Sequence, residues 1–100
     1  MPQGRGEEDA EMKSIDTAHA DGTVTMGGVR MSREAALCVE EVGGDPAADV
    51  LAIRHEIARS GTETAEANLR SHCLDGADEE REEGWRDYVS AIMLAAGEPA

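Results

Sequence analysis

Phenylalanine is absent from this 100-residue chain, and tryptophan and tyrosine occur once each, as Trp85 and Tyr88. Any core must therefore be aliphatic and modest, since a domain of this length buries roughly 60 to 70% of the surface its unfolded chain exposes. Basic side chains are scarce too. Nine Lys and Arg stand against 22 Asp and Glu, for a formal charge of −13 and a pI near 4.4. Such a surface repels polyanions, which argues against direct binding to nucleic acid or to an anionic membrane. No stretch approaches the ~18 consecutive apolar residues of a membrane helix, and the opening residues carry no apolar leader. A soluble, cytoplasmic protein is expected, with Met12 as a second candidate start. The two cysteines, Cys38 and Cys73, are too few for a disulfide framework and are expected as reduced thiols inside helices.

Signatures of chemistry are missing as well. The chain has no P-loop, no dinucleotide-binding glycine pattern and no calcium-loop spacing. Cys73 has His72 as its neighbour, but adjacent positions on a helix point about 100° apart, so the histidine is not aligned to activate the thiol. The histidines and cysteines show none of the short spacings by which zinc sites declare themselves, and a site would have to be assembled from Cys38, His55 and Cys73. No metal and no cofactor are expected. Carboxylates are abundant, but acid–base work needs a pair in contrasting environments with one member desolvated. The densest run, Glu79 to Glu83, reads as solvated, and no cleft-forming loop is legible. The chain reads as a binding protein and not an enzyme.

What is present falls into six segments. Residues 1–22 are acidic at Glu7, Glu8, Asp9 and Glu11, loosened by Gly4 and Gly6, and poor in apolar residues before Ile15. They read as a mobile acidic tail. A single domain follows, residues 23–100. Within 23–31, Val24 and Met26, then Val29 and Met31, alternate with polar residues about Gly27-Gly28, a pair suited to the positive φ of a two-residue turn. This predicts a β-hairpin that must lay its Val/Met face on helices to be stable. The period then becomes helical. Ser32 caps a helix over 33–42 with Ala35, Cys38, Val39 and Val42 inward, ended by Gly43-Gly44. Asp45-Pro46 starts a second over 46–60, with Val50, Ile53 and Ile57 as its buried stripe. A third, 62–74, turns Ala65, Leu69 and Cys73 inward, and a fourth, 78–96, does so with Trp85, Tyr88, Val89, Ile92, Met93 and Ala96. Gly84 reads as a weak point in that last helix, costing about 1 kcal/mol against alanine. The fold class is mainly α: a small bundle of four short helices behind an N-terminal hairpin.

These helices do not resemble DNA readers. The second offers Arg54, His55 and Arg59 but also Asp49 and Glu56, and the third offers Arg70 against Glu63 and Glu66. Charge is instead concentrated with the opposite sign. Residues 1–31 carry three basic and six acidic side chains, residues 32–61 the same, and residues 62–100 three against ten. Asp78 to Glu83 sets five carboxylates against one arginine, a net −4 over about 9 Å of helix at ~1.5 Å per residue. Duplex DNA carries one charge per ~1.7 Å of axis, so the two line densities agree within a factor of about two. As a plain reading, this is a solvated helix start that keeps the protein in solution. As a functional one, it competes for a groove built to hold nucleic acid. Asp75, Asp78, Glu79, Glu80, Glu82 and Glu83 are then the partner-binding residues.

In its small size, high negative charge and nearly aromatic-free composition, the chain resembles phage-encoded anti-CRISPR proteins. It looks most like the roughly hundred-residue inhibitors of type I Cascade surveillance complexes, the I-F group in particular. The resemblance spans the chain in size and composition and carries no motif, so no residue role is transferred by it. It implies a stoichiometric inhibitor, acting in the bacterial host cytoplasm, that docks on the basic DNA path of Cas subunits and blocks target-DNA binding. The alternative is a helical interaction module, such as a regulator, antitoxin or adaptor, that binds through an apolar patch of Trp85, Tyr88, Ile92 and Met93.

Overall fold

The structure, a computed structural model, describes residues 15–97. Three short strands, β1 (Ile15–Ala18), β2 (Thr23–Met26) and β3 (Val29–Ser32), form an antiparallel meander in the order β1-β2-β3. Four helices follow: α1 (Arg33–Val42), α2 (Pro46–Ser60), α3 (Thr62–Leu74) and α4 (Glu79–Gly97). The mainly helical expectation holds, and each helix begins and ends within one residue of where its signals placed it.

The hairpin forms as its alternation predicts. Val24 pairs with Met31 and Met26 with Val29, and all four side chains are buried. Gly27 and Gly28 turn the chain at φ 60° and 80°, values that fit the right-handed twist of the flanking strands. The expected tail needs correction at its end. Residues 15–22 are a third strand and its turn, with Ile15 opposite Met26 and Ala18 opposite Val24, and a register shift between Ile15 and Thr17. Residues 1–14 lie outside the described residues.

A polar clasp holds the β1–β2 turn. Asp21 accepts hydrogen bonds from the Thr23 hydroxyl at 2.7 Å and the Thr23 amide at 3.0 Å, and from Arg30 at 3.0 Å. His19 hydrogen-bonds Thr25 across the strands at 2.8 Å. The Thr23 hydroxyl and amide, with Arg30 behind them, hold the Asp21 carboxyl down at about 2. Because this value lies below the ordinary 3.8, the clasp contributes fully above pH 4 and is lost as pH falls through about 2. In an NMR titration Asp21 should therefore titrate near 2, and Thr23→Val should move it upward. An ordinary carboxylate value in both proteins would contradict the clasp.

The helix ends follow from local chemistry. Ser32 Oγ accepts from the Ala35 amide at 3.1 Å, and Asp45 Oδ1 accepts from the Ala48 amide at 3.3 Å. Gly43 closes α1 in the left-handed region at φ 68°, its amide and that of Gly44 returning to the carbonyls of Glu40 and Val39. At the far end of α4, Arg54 donates to the last carbonyls, Ala95 and Ala96, where a cation complements the helix dipole.

α4 is the central element, packing against α1, α2, α3 and β3. Its Tyr88, Val89, Ile92 and Ala96 meet Ala35, Ala36 and Val39 of α1, Val50 and Ile53 of α2, Ala65 and Leu69 of α3, and the hairpin's Val/Met face in one core. Ile57, Cys73, Trp85 and Met93, expected inside, are half-buried at the margin. Val42 is 65% exposed, because α1 ends at this residue after passing the core. Gly84 is the larger correction. It is buried where α4 crosses α1, and a Cβ there would stand 2.7 Å from Cys38 Sγ and 2.8 Å from the Glu34 carbonyl oxygen. The missing side chain is what lets the two helices approach. None of the described helices is long and apolar enough to cross a membrane.

Candidate functional site

The α3–α4 turn and the first turns of α4 distribute the predicted acidic residues over two neighbouring surfaces. Asp75 closes α3, its amide returning to the Ser71 carbonyl, and Gly76 turns the chain at φ 83°. Asp78 precedes α4 and its carbonyl accepts from the Arg81 amide at 2.9 Å. Carboxylates are favoured in this position by the positive end of the helix dipole.

Helical spacing then sorts the run. The core claims Gly84, Tyr88, Val89 and Ile92, so the opposite side of α4 faces solvent. Glu79, Glu82, Glu83, Arg86 and Asp87 gather there around a shallow depression. Glu80 is exposed beside this strip. Both arginines of the segment are held by the protein's own carboxylates. Arg81 turns toward α1 and grips Glu41 through two hydrogen bonds of 2.8 and 2.6 Å. The first consequence is electrostatic: the Arg81 hydrogen bonds keep the Glu41 carboxyl below the usual range. Arg86 pairs with Glu82 one turn earlier at 3.2 Å. Asp75, Asp78, Glu79, Glu80 and Glu83 have no ion-pair partner among the described residues. The structure thus brings Glu79, Glu82 and Glu83 onto one strip, leaves Asp78 and Glu80 beside it, and turns Asp75 to a different feature.

That feature is a cleft of about 400 Å³ between the end of α1, the start of α2, the end of α3 and Trp85 of α4. No loop in the sequence announces it, and the expectation of no cleft is corrected here. Its apolar side is Val39, Val42, Trp85 and Tyr88, with the two rings edge to face at 5.6 Å. Its polar side is Asp45, Asp49, Asp75 and His72. The Tyr88 hydroxyl donates to Asp49 Oδ2. Burial and that hydrogen bond raise the Tyr88 pKa far above its ordinary value. Burial, with Asp49 nearby, pushes the Cys73 thiol up to about 11, so at neutral pH it is a protonated wall atom and not a nucleophile. Cys38, at the α1–α4 crossing, is raised by burial as well and donates to the Arg81 carbonyl.

Tyr88 is 1% exposed, so its hydroxyl has little access to water once Asp49 is unavailable. Tyr88→Phe removes a hydrogen bond to a charged acceptor and should lower unfolding free energy by about 1.5 kcal/mol in urea denaturation. An unchanged midpoint would mean that the bond adds nothing net.

Among the described residues, no three His, Cys, Asp or Glu side chains are placed to hold a metal ion, so Cys38, His55 and Cys73 do not assemble. The patch of the interaction-module reading is also redrawn. Tyr88 and Ile92 belong to the core, and only Trp85 and Met93 reach the surface in part. Asp45 and Asp49 are the cleft residues that sequence reasoning passed over. They lie one turn apart at the start of α2 and so share a side of it, which was a usable signal. Nothing in the sequence pointed to Asp75 joining them. The chain matches no protein-family model, no curated protein and no solved structure.

Proposed function

We propose that this protein is a stoichiometric inhibitor that lays the acidic outer face of α4 on the basic nucleic-acid path of a protein complex. The complex is of the kind formed by the Cas subunits of type I surveillance assemblies, and docking there blocks target-DNA binding. The observation that carries the reading is the arrangement of charge on α4. Glu79 and Glu83 are exposed along one strip with Glu80 exposed beside it, while Glu82 and Asp87 border it half-buried, Asp87 accepting a hydrogen bond from Ser32 Oγ at 2.8 Å. Arg81 is drawn off to Glu41 and Arg86 pairs with Glu82 alone, so Glu79, Glu80 and Glu83 keep no ion-pair partner among the described residues. The carboxylate density compares with that of phosphates on DNA, and a Lys/Arg-lined path steers such a surface to fast association.

The test is capture of a purified type I-F surveillance complex by the tagged protein, followed by a target-DNA competition across a salt series. One-to-one or fixed-ratio capture, displacement of DNA and release by salt support the reading. Screening length falls from about 10 Å at 0.1 M to about 3 Å at 1 M, so a charge-led interface must weaken over that range. A complex that binds DNA normally in saturating protein at low salt overturns the proposal.

A further inference from the structure

We infer that the cleft beside the acidic strip receives an arginine side chain of the protein partner. This inference rests on the reading of the protein as a binder of a basic partner and names how one residue of that partner is recognised.

The cleft combines an apolar slot with a carboxylate end. Val42 and Trp85, backed by the buried Val39 and Tyr88, offer the surface along which an arginine's methylene stem is covered. Val42 is apolar yet 65% exposed at this lip, and the chain's single tryptophan is half-buried there. Neither residue is fully used by the core. An indole beside a guanidinium is a favourable pairing, by stacking and by attraction of the cation to the ring.

Asp45, Asp49 and Asp75 supply the charge. Asp45 uses one oxygen on the Ala48 amide and Asp49 uses one on Tyr88, and each keeps a second oxygen for a ligand. No lysine or arginine lines the cleft. An anion would be repelled, and a neutral apolar occupant would desolvate carboxylates without replacing their hydrogen bonds. A metal ion finds no three-ligand arrangement here. A guanidinium, with five N–H donors in a planar fork and a long apolar stem, satisfies both sides.

The position suits an occupant that arrives with the partner. Asp75, Gly76 and Ala77 form one rim and run directly into Asp78 and α4. The cleft and the α4 strip thus adjoin along the chain through residues 75–79, which brings the cleft within reach of a partner docked on the strip.

The arginine probe is Nα-acetyl-arginine methylamide, titrated into the intact protein and followed by Trp85 fluorescence and by backbone amide shifts. The expected result is saturable binding with a dissociation constant on the order of millimolar, as suits one isolated side chain. Shifts should centre on Asp45 to Asp49 and Asp75 to Ala77. The neutral citrulline analogue should bind roughly tenfold more weakly, and so should arginine to an Asp45→Asn/Asp75→Asn variant. Asparagine caps a helix as well as aspartate does, so that variant keeps its fold. A Glu79→Gln/Glu80→Gln/Glu83→Gln variant should bind the probe normally even though its partner binding is weakened. Lack of saturation, equal response to citrulline, or shifts centred elsewhere would overturn the cleft assignment and leave the acidic-strip reading standing. Probe binding at the cleft, in a protein that never captures the surveillance complex, would support the cleft and reject the proposed partner.

Discussion

Replacing Gly84 with alanine should destabilise the protein by about 2 kcal/mol, although alanine is the better helix former by about 1 kcal/mol in an ordinary helix interior. The added methyl would fall 2.7 Å from Cys38 Sγ and 2.8 Å from the Glu34 carbonyl oxygen. Sulfur on a side chain can move, but a carbonyl within α1 cannot move without its helix. Relief therefore requires α1 and α4 to separate at the place where Ala35, Ala36 and Val39 pack against the core. Overpacking of this kind typically costs about 1 to 3 kcal/mol. For a domain of this size each kcal/mol corresponds to roughly 4 to 8 °C in Tm, so a drop on the order of 10 °C is expected in a thermal melt. Gly97→Ala is the control, since a Cβ there meets nothing within 4 Å. Adding Cys38→Ala to Gly84→Ala removes the sulfur contact and leaves the carbonyl one, so it should not restore wild-type stability. A Gly84→Ala protein more stable than wild type would reduce Gly84 to the simple propensity defect that its sequence context suggests.

Reversing Glu79, Glu80, Glu82 and Glu83 to lysine should weaken binding to the surveillance complex by at least about 100-fold, the equivalent of roughly 3 kcal/mol. An exposed ion pair contributes only about 0.2 to 1 kcal/mol, but reversal replaces each attraction by a like-charge contact, and such juxtapositions cost several kcal/mol in sum. Lysines in the first turn also oppose the helix dipole, by about 0.3 to 1 kcal/mol each, and Glu82 loses Arg86. Far-UV circular dichroism and a urea melt are needed to separate misfolding from lost docking. The triple Gln variant of Glu79, Glu80 and Glu83 makes the same point without repulsion and should bind more weakly, with a flatter salt dependence. Asp16→Lys/Glu63→Lys alters two exposed carboxylates away from α4 and should leave inhibition nearly intact. If the folded quadruple variant still displaces DNA at wild-type concentrations, the acidic strip is not the docking surface.

Much of the fold was legible because its signals act over a few residues. Ser32, Asp45-Pro46 and Gly43 start or stop helices through hydrogen bonds to amides or carbonyls within four positions. Gly27-Gly28 turns the hairpin by its own backbone freedom, and the Val/Met alternation selects which face is buried. β1 was illegible for the opposite reason. It is an edge strand with one half-buried residue, so it shows no alternation, and only β2 supplies its hydrogen bonds. Asp21-Gly22 was the one local hint of its turn.

The charge on α4 could be counted from the chain alone, and helical spacing placed it on one side. Which of those charges remain uncompensated was a tertiary matter, since Arg81 is taken by Glu41 on another helix. Gly84 turned from a defect into a requirement because Glu34 and Cys38 lie across from it. The cleft likewise exists only where α1, α2 and α3 end or begin beside Trp85, bringing Asp75 to Asp45 and Asp49. Caps, turns and periodicity are properties of neighbouring residues and so are written in order along the chain. Close approach, charge pairing and concavity depend on which distant segments are packed together, and the core of α4 decided that.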